Sequence, residues 1–391
     1  MTRPDSGAPM QLVLEPEQED LRAAVRAFAR EESPNTLISR VADGDHAPVP
    51  GLWRGLADRL DLLGLTVPEA HGGSGAGQVE RAVALEELGR ALVPVPYLSC
   101  AALAVDTLTT LADERAGTEL LPAIAAGNLL VAVAVTENGR WDTEGLATRA
   151  EPSTHGEGWE LTGYKETVLD GAEADVLLVL AAAPDGPGFF QVDRDARGLT
   201  RTPLEPLDPT RSFARVGLDT TPARRLNTPD ARAALVRIRD LASVAVAAEA
   251  LGVLAHSLET AIEYAKVRVQ FGRYIGSYQA VKHLCADSHV DLELSESVLR
   301  YAAWAADHAP DELPVAAAHA RITVPGAAFR TAARTIEVLG GVGFTWEHDA
   351  HLYYKRAKTL ELLLGDPADA ARVLADRIMP STTSEVSEVT R

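Results

Sequence analysis

A chain of 391 residues, 46% apolar and 24% charged, is globular in composition and too long for one ordinary core, so two or three packed subregions are expected. A net charge of −19 argues against a nucleic-acid binder, which must neutralise phosphates with a basic surface; a phosphate-rich small ligand would need local Arg and Lys instead. No run of about 18 uncharged apolar residues marks a membrane span, and Met1 to Met10 lacks the apolar core of a targeting segment, so a soluble cytoplasmic protein without membrane contact is expected.

In chain order, Leu14-Glu15-Pro16-Glu17 opens an amphipathic helix to about Arg30, with Leu21, Val25 and Phe28 at helical spacing. Val41 to Pro50 reads as a polar loop, and Leu52 to Leu63 as a second helix. The glycine cluster Gly72-Gly73-Ser74-Gly75 lacks the Gly-Lys-Ser/Thr ending of a phosphate-binding loop and has no βαβ pattern around it. A helix follows over Gln78 to Ala91. Pro94-Val95-Pro96-Tyr97 breaks it, and alanine-rich helices continue to about Asn128. At Leu129 the periodicity turns β-like: Val131–Val135, Trp159–Leu161, Val176–Leu180 and Gly188–Val192 are short runs of β formers between Gly, Pro and Asp. The expected division is 1–128 helical, 129–227 β and 228–391 helical. Cys100 and Cys285 have neither metal-ligand spacing nor a disulfide framework, and read as small buried hydrophobes in a reducing compartment.

Thr228 as N-cap, Pro229 and Asp230 announce a helix that runs unbroken to about Arg268, some 40 residues or ~60 Å. Glu249 is the sole ionisable side chain between Leu241 and Ala255. A carboxylate among Ala, Val and Leu is costly unless paired or protonated, so Glu249 is either a candidate general base or half of a buried ion pair with an Arg of a neighbouring helix. The stretch Tyr264 to His283 reads as a helix end, a tight turn and a new helix. Gly272 and Gly276 supply backbone freedom where Phe271 and Ile275 turn inward, and Ser277 caps the helix carrying Gln279. Further on, Glu337-Val338-Leu339-Gly340-Gly341-Val342-Gly343-Phe344 ends a helix in paired glycines, which let backbone approach a ligand closely. His348 and His351 have no third ligand nearby in sequence, so no metal is expected.

The pattern Arg268-x-x-Phe271-Gly272-x-x-Ile275-Gly276-x-x-Gln279-Ala280 resembles the R-x-x-F-G-x-x-I-x-x-x-Q-A signature of the acyl-CoA dehydrogenases, which are flavoproteins. The Leu63–Gly75 loop, the Gly163-Tyr164-Lys165 element and the Gly340-Gly341 segment resemble further motifs of that family, so the likeness covers nearly the whole chain. It implies an α+β fold: an N-terminal helical domain, a middle β domain and a C-terminal four-helix-bundle domain. It also implies FAD as cofactor, with Arg268, Phe271, Gln279, Glu337, Leu339, Gly340 and Gly341 meeting the FAD of a facing subunit, and Thr136 at the flavin. The wording Gly343-Phe344-Thr345-Trp346-Glu347-His348-Asp349 resembles a subgroup acting on steroid side-chain and other bulky acyl thioesters, in which α2β2 heteromers occur. The implied partners are an acyl-CoA or acyl-carrier thioester, a homo-oligomer or a heterotetramer with a homologous subunit, and an electron-transfer acceptor.

Several flavin-facing positions depart from that pattern. Thr167 and Leu169 stand where the family has a Trp and a Thr against the flavin, and Arg140-Trp141 replace the small Gly-Ser of the covering loop. Leu364 holds one of the family's two base positions and Ala242 the other. Glu249, seven residues from Ala242, shares its helix face and is the candidate base; Asp366 is the weaker one. Three functions follow from the resemblance: α,β-dehydrogenation of an acyl thioester by this chain, completion of another subunit's FAD site without catalysis, or a flavin monooxygenase or oxidase on the same scaffold.

Overall fold

The structure, a computed structural model, describes residues 12–154 and 158–379, so the Met1–Met10 segment lies outside the described residues. Helix α1 (Pro16–Glu32) starts where Glu15 N–H donates to Gln18 Oε1 at 3.0 Å, and it buries Val25, Phe28 and Ala29. A short α2 (Asn35–Ala42) precedes the expected loop, because Ile38 and Val41, one turn apart, both find the core. Helix α3 (Val49–Leu60) begins earlier than the apolar run suggests, since Pro50 fits a first helical turn. In the glycine cluster, a Cβ on Gly73 would lie 2.1 Å from the Val67 carbonyl oxygen, so this glycine serves close packing of backbone. Helix α4 (Gln78–Arg90) follows, then a π-helical stretch over Tyr97–Ala104 leading into α5 (Val105–Leu111), and α6 (Glu114–Ala125), whose first turn is capped by Asp113 accepting from Ala116 N–H at 2.7 Å.

The middle region is a β structure of seven strands: β1 (Val131–Ala134), β2 (Arg149–Pro152), β3 (Trp159–Leu169), β4 (Val176–Ala183), β5 (Gly186–Asp193), β6 (Leu199–Pro203) and β7 (Phe213–Arg225). The pairings β4–β5–β7–β3–β2–β4 close a ring, with β1 parallel to β4 and β6 along β7. Closure removes the open edges that a free sheet would leave. The period of two shows why β1 and β4 are apolar on both faces. Ala132, Ala134, Leu177, Val179 and Ala181 point into the barrel core, whereas Val131, Val133, Val176, Leu178 and Leu180 belong to the helical core.

The C-terminal region is helical and centred on α7 (Ala231–Val267). Its N-cap is Asp230 and not Thr228: the Asp230 carboxylate accepts from Arg232 N–H (2.8 Å) and Ala233 N–H (3.1 Å), reaching the first turn as Thr228 cannot from two residues further out. Helix α7 is buried on all sides from Asp240 to Leu254 and packs against α4, α8 (Gln279–His308), α9 (Leu313–Leu339) and α10 (Ala350–Leu362); α11 (Pro367–Ile378) packs on α9. By length and composition α7 could cross a membrane, but 89% of its most apolar window is buried inside the protein. Cys100 is buried, and burial pushes its thiol up to about 12; Cys285 is half-buried. The α4–α7 crossing is set by glycine: a Cβ on Gly252 would sit 1.9 Å from the Glu86 carbonyl oxygen. Gly252→Ala is therefore expected to lose about 1–3 kcal/mol or more in denaturant unfolding. Gly341→Ala, where a Cβ would meet nothing within 4 Å, is expected to stay within about 0.5 kcal/mol of the parent.

Candidate functional site

The residues matching the family's outward contacts gather at the C-terminal end of α7. Val269–Gln270 (β8) and Arg273–Tyr274 (β9) form a two-residue hairpin whose turn is Phe271-Gly272, with φ of 52° and 78°. Positive φ at both positions is the geometry that suits a tight hairpin, free for Gly272 and strained for Phe271. Phe271 does not turn inward as expected: it stands at the hairpin tip, 93% exposed, while Ile275 alone is buried. Ser277 is not the cap of α8 either; it lies in a 3-10 turn and donates to Tyr274 O at 2.6 Å, and Tyr278 takes the cap position. Tyr264 packs against both the cluster that contains Ile275 and the one that contains Leu339, tying this hairpin to the end of α9. There Gly340 (φ 65°) stops the helix, and Glu337, Gly340 and Gly341 are exposed beside it, as are Arg268 and Gln279, whereas Leu339 is buried. Large apolar side chains at Phe344 and Trp346 are also exposed nearby in sequence.

The positions expected to face a flavin lie elsewhere. Asn138 (φ 50°) and Gly139 (φ 68°) make a tight turn in which Arg140 N–H donates to Glu137 O at 2.9 Å. The turn sends Trp141 back under the loop, where it is 7% exposed, packs into the helical core and donates from Nε1 to Thr136 Oγ1 at 2.9 Å. Lys165 Nζ meets Glu137 Oε1 at 2.5 Å, and the same carboxylate accepts from Ala147 and Thr148 N–H, clamping both ends of the loop. Burial pushes Lys165 down to about 8 despite Glu137, whose hydrogen bond and charge oppose the shift. Leu169 is buried in the same core and has no side-chain donor; Thr167 lines a shallow surface hollow with Tyr164 and Arg215. Trp141 also borders a cavity of about 240 Å³, reached by Arg239 and Ser243 of α7, Arg321 of α9, and Leu364, Gly365 and Asp366. Asp366 Oδ1 caps α11, accepting from Ala368 N–H at 2.8 Å. From Ser243 to Arg268 is 25 residues of one helix, or ~38 Å, so in a single chain the two sets face different volumes.

Glu249 lies between them and borders none of the described cavities. Its Oε1 accepts from Arg356 Nη1 at 2.6 Å and from Arg211 Nη2. Arg356, fully buried, extends Nε to Asp208 and Nη2 to Thr210 Oγ1 at 2.5 Å; Asp208 in turn accepts from Thr210 N–H (3.0 Å) and Oγ1–H (2.6 Å). Arg211 Nη1 reaches the Val95 carbonyl at 3.3 Å. Two guanidinium groups thus balance two carboxylates. Burial alone would raise Asp208, but Arg356, the Thr210 hydroxyl and Arg211 outweigh it and hold the carboxyl below its usual range. Ala242, on the same helix, is wholly buried.

With this geometry in hand, comparison with known proteins is decisive. The profile of the acyl-CoA dehydrogenase C-terminal domain matches residues 240–379, and that of the N-terminal domain residues 15–128. The chain is 32% identical to acyl-CoA dehydrogenase IpdE2 of Mycobacterium tuberculosis over 93% of its length and 98% of that protein. It belongs to the acyl-CoA dehydrogenase family. Among solved structures, a variant of the Tcur3481-Tcur3483 steroid ACAD superposes with a TM-score of 0.84 at 33% identity, over 93% of this chain and 97% of that one. The ChsE4-ChsE5 complex from Mycobacterium tuberculosis gives 0.86 at 28%, over 95% and 100%. Acyl-CoA dehydrogenases are FAD-dependent flavoprotein oxidoreductases, and the helical, β, helical order found here is theirs.

Sequence reasoning missed Asp208, Thr210 and Arg211 because they occupy an irregular loop between β6 and β7, with no pattern to mark them. Arg356 was visible in Lys355-Arg356-Ala357-Lys358, but nothing in the sequence aimed it at Glu249. Breaking this network leaves a buried charge without its partner, so Glu249→Gln is expected to cost about 3–5 kcal/mol in denaturant unfolding. Since the folded Asp208 carboxyl lies below its unfolded value, its contribution is fully present above an ordinary carboxylate pKa of about 4 and is lost as pH falls through the folded value. Asp208→Asn is therefore expected to flatten the acid limb of the stability curve below about pH 4.

Proposed function

We propose that this chain is the FAD-site-completing subunit of a heteromeric acyl-CoA dehydrogenase, paired with a homologous chain that supplies the carboxylate base. The observation that carries this reading is Trp141. The Asn138-Gly139 turn delivers its indole onto Thr136, so the hydroxyl expected at the flavin already accepts a hydrogen bond from within the chain. Leu169 offers no donor beside it, and Leu364 puts an alkyl group at the family's base position on the cavity wall. This inner volume does not fit a flavin. The outward set does: Arg268, Phe271 and Gln279, with Glu337 and the Gly340-Gly341 backbone, are exposed, and Phe271 is held in a strained turn with nothing of its own chain to cover it. FAD, when bound between the chains, supplies the hydride acceptor for α,β-dehydrogenation of an acyl thioester; this chain orients it through those contacts. The solved structure named a steroid ACAD favours a bulky acyl group, and an electron-transfer protein would reoxidise the flavin.

A second reading, catalysis by this chain alone, rests on Asp366 bordering the cavity next to Leu364. Its carboxylate is engaged as a helix cap, and Glu249 is charge-paired with two arginines through Oε1 while its Oε2 is buried out of reach of a substrate, so neither stands free as a base. Visible absorbance of the purified chain, alone and co-expressed with a homologous acyl-CoA dehydrogenase chain, separates the two readings. The chain alone is expected to be colourless and the complex yellow, with Arg268→Ala in this chain lowering flavin retention by the complex. Flavin held by the isolated chain and bleached by an acyl-CoA would overturn the proposal.

A further inference from the structure

The hairpin at the end of α7 is strained at its tip and has almost no core of its own. Phe271 holds φ at 52°, a conformation that side chains with a Cβ rarely adopt, and every residue from Lys266 to Tyr274 is exposed. Its ladder is two residues on each side, Val269 with Tyr274 and Gln270 with Arg273, closed below by Ile275 N–H on the Arg268 carbonyl at 2.8 Å. A two-stranded ribbon of that length does not keep one shape in water unaided, and a strained residue persists only where its surroundings over-determine it. The support therefore has to come from outside the ladder.

Tyr278 supplies it. Its hydroxyl donates at 3.0 Å to the carbonyl of Gln270, the residue directly before Phe271. The guanidinium of Arg273, the residue directly after the Phe271-Gly272 turn, lies 3.8 Å from the centre of its ring. The ring itself is half-buried and packs against the cluster of Ala261 and Ala265 of α7, Ile275, and Val338 of α9. Its backbone closes the 3-10 turn, with Tyr278 N–H on the Ile275 carbonyl at 3.0 Å, and opens α8, with Lys282 N–H on the Tyr278 carbonyl at 3.1 Å. Gly276 sets the height of that turn on α7, since a Cβ there would lie 2.8 Å from the Ala265 carbonyl oxygen. One residue thus holds both sides of the hairpin tip, adjoins Gln279 in the chain, and rests on the cluster of Val338, the neighbour of Glu337 and Leu339. We propose that Tyr278 is the positioning residue of the outward cofactor contact: it holds Phe271 in its left-handed conformation, in fixed relation to Gln279 and the end of α9, before the flavin arrives. This rests on the reading that these residues meet the FAD of a facing chain. A hairpin held beforehand spares binding the ordering cost that a loose one would impose.

The test is Tyr278→Phe, which removes the hydroxyl and keeps the ring beneath Arg273. In the isolated chain, amide hydrogen exchange over residues 269–275 is expected to quicken about fivefold, the effect of one neutral hydrogen bond, while the denaturant midpoint of the whole chain stays that of the parent. In the complex with the homologous chain, the Kd for FAD is expected to rise about fivefold, and a 4-aminophenylalanine substitution at 278, which restores a donor, to recover most of the loss. Should Tyr278→Phe lower the midpoint, Arg273→Met, at an exposed position, is measured in its place and is expected to act in the same direction. Arg268→Ala in the same complex separates this proposal from the reading beneath it. If Arg268→Ala weakens FAD binding and Tyr278→Phe does not, the reading stands and the positioning role is overturned. If neither variant changes FAD binding, although exchange in the hairpin still quickens, Tyr278 holds a hairpin that meets no flavin, and the reading fails together with the role built on it. Unchanged exchange in Tyr278→Phe would overturn the proposal whatever the flavin does.

Discussion

The four buried charges at Glu249, Arg356, Asp208 and Arg211 constrain more of this molecule than any apolar contact does. They come from separate places: Glu249 from the middle of α7, Arg356 from α10, Asp208 and Arg211 from the loop before β7, and Arg211 continues to Val95 ahead of the π-helical stretch. An apolar cluster of the same size could form in several registers, but a guanidinium that must place Nε on one carboxylate and Nη1 on another has few solutions. Such a network is weak evidence for net stability, since desolvating four ions costs nearly what their pairing returns. Its consequence is geometric: the barrel loop and α10 are held at a fixed height on α7.

That height matters because α7 works as a spacer. One end faces the 139–144 loop and the cavity, the other carries the Phe271-Gly272 hairpin, and the apolar middle is closed off by α4, α9 and α10. A rigid helix fixes the separation at ~38 Å, so within one chain the residues at its C-terminal end and those lining the cavity face different volumes. The exposed Phe271, Phe344 and Trp346 are side chains that soluble monomers seldom leave uncovered together, which fits an end built to be covered.

The sequence carried the fold well where periodicity was strong and poorly where it was not. The long apolar run of α7 and the short runs of β formers in β4 and β5, bounded by Gly, Pro and Asp, are visible because each is continuous and clearly ended. Strands β2, β6 and β7 escaped notice: Arg149–Pro152 and Leu199–Pro203 are mostly exposed, and β7 is interrupted by Gly217, Asp219 and Pro222, so no alternation announces them. The inward reading of Phe271 failed because an aromatic beside Gly is ordinarily core, whereas the positive φ at both turn positions puts it at the tip of the hairpin. Glu249 was legible as an anomaly, and both of its meanings were open. What chose between them was a pair of arginines 38 and 107 residues away, pairings that no local pattern records.

The departures from the family pattern do not fall at random over the site. By the resemblance, Trp141 stands where the family has a small residue, Leu169 where it has a hydroxyl and Leu364 where it has a carboxylate, and Trp141 and Leu169 pack into the helical core. The outward residues keep their chemistry, including a strained Phe271 that gains nothing within its own chain. If the inner volume had merely decayed, its buried polar groups would be left wanting partners; instead Thr136 is satisfied by the indole that fills the space, and Glu137 and Lys165 by each other.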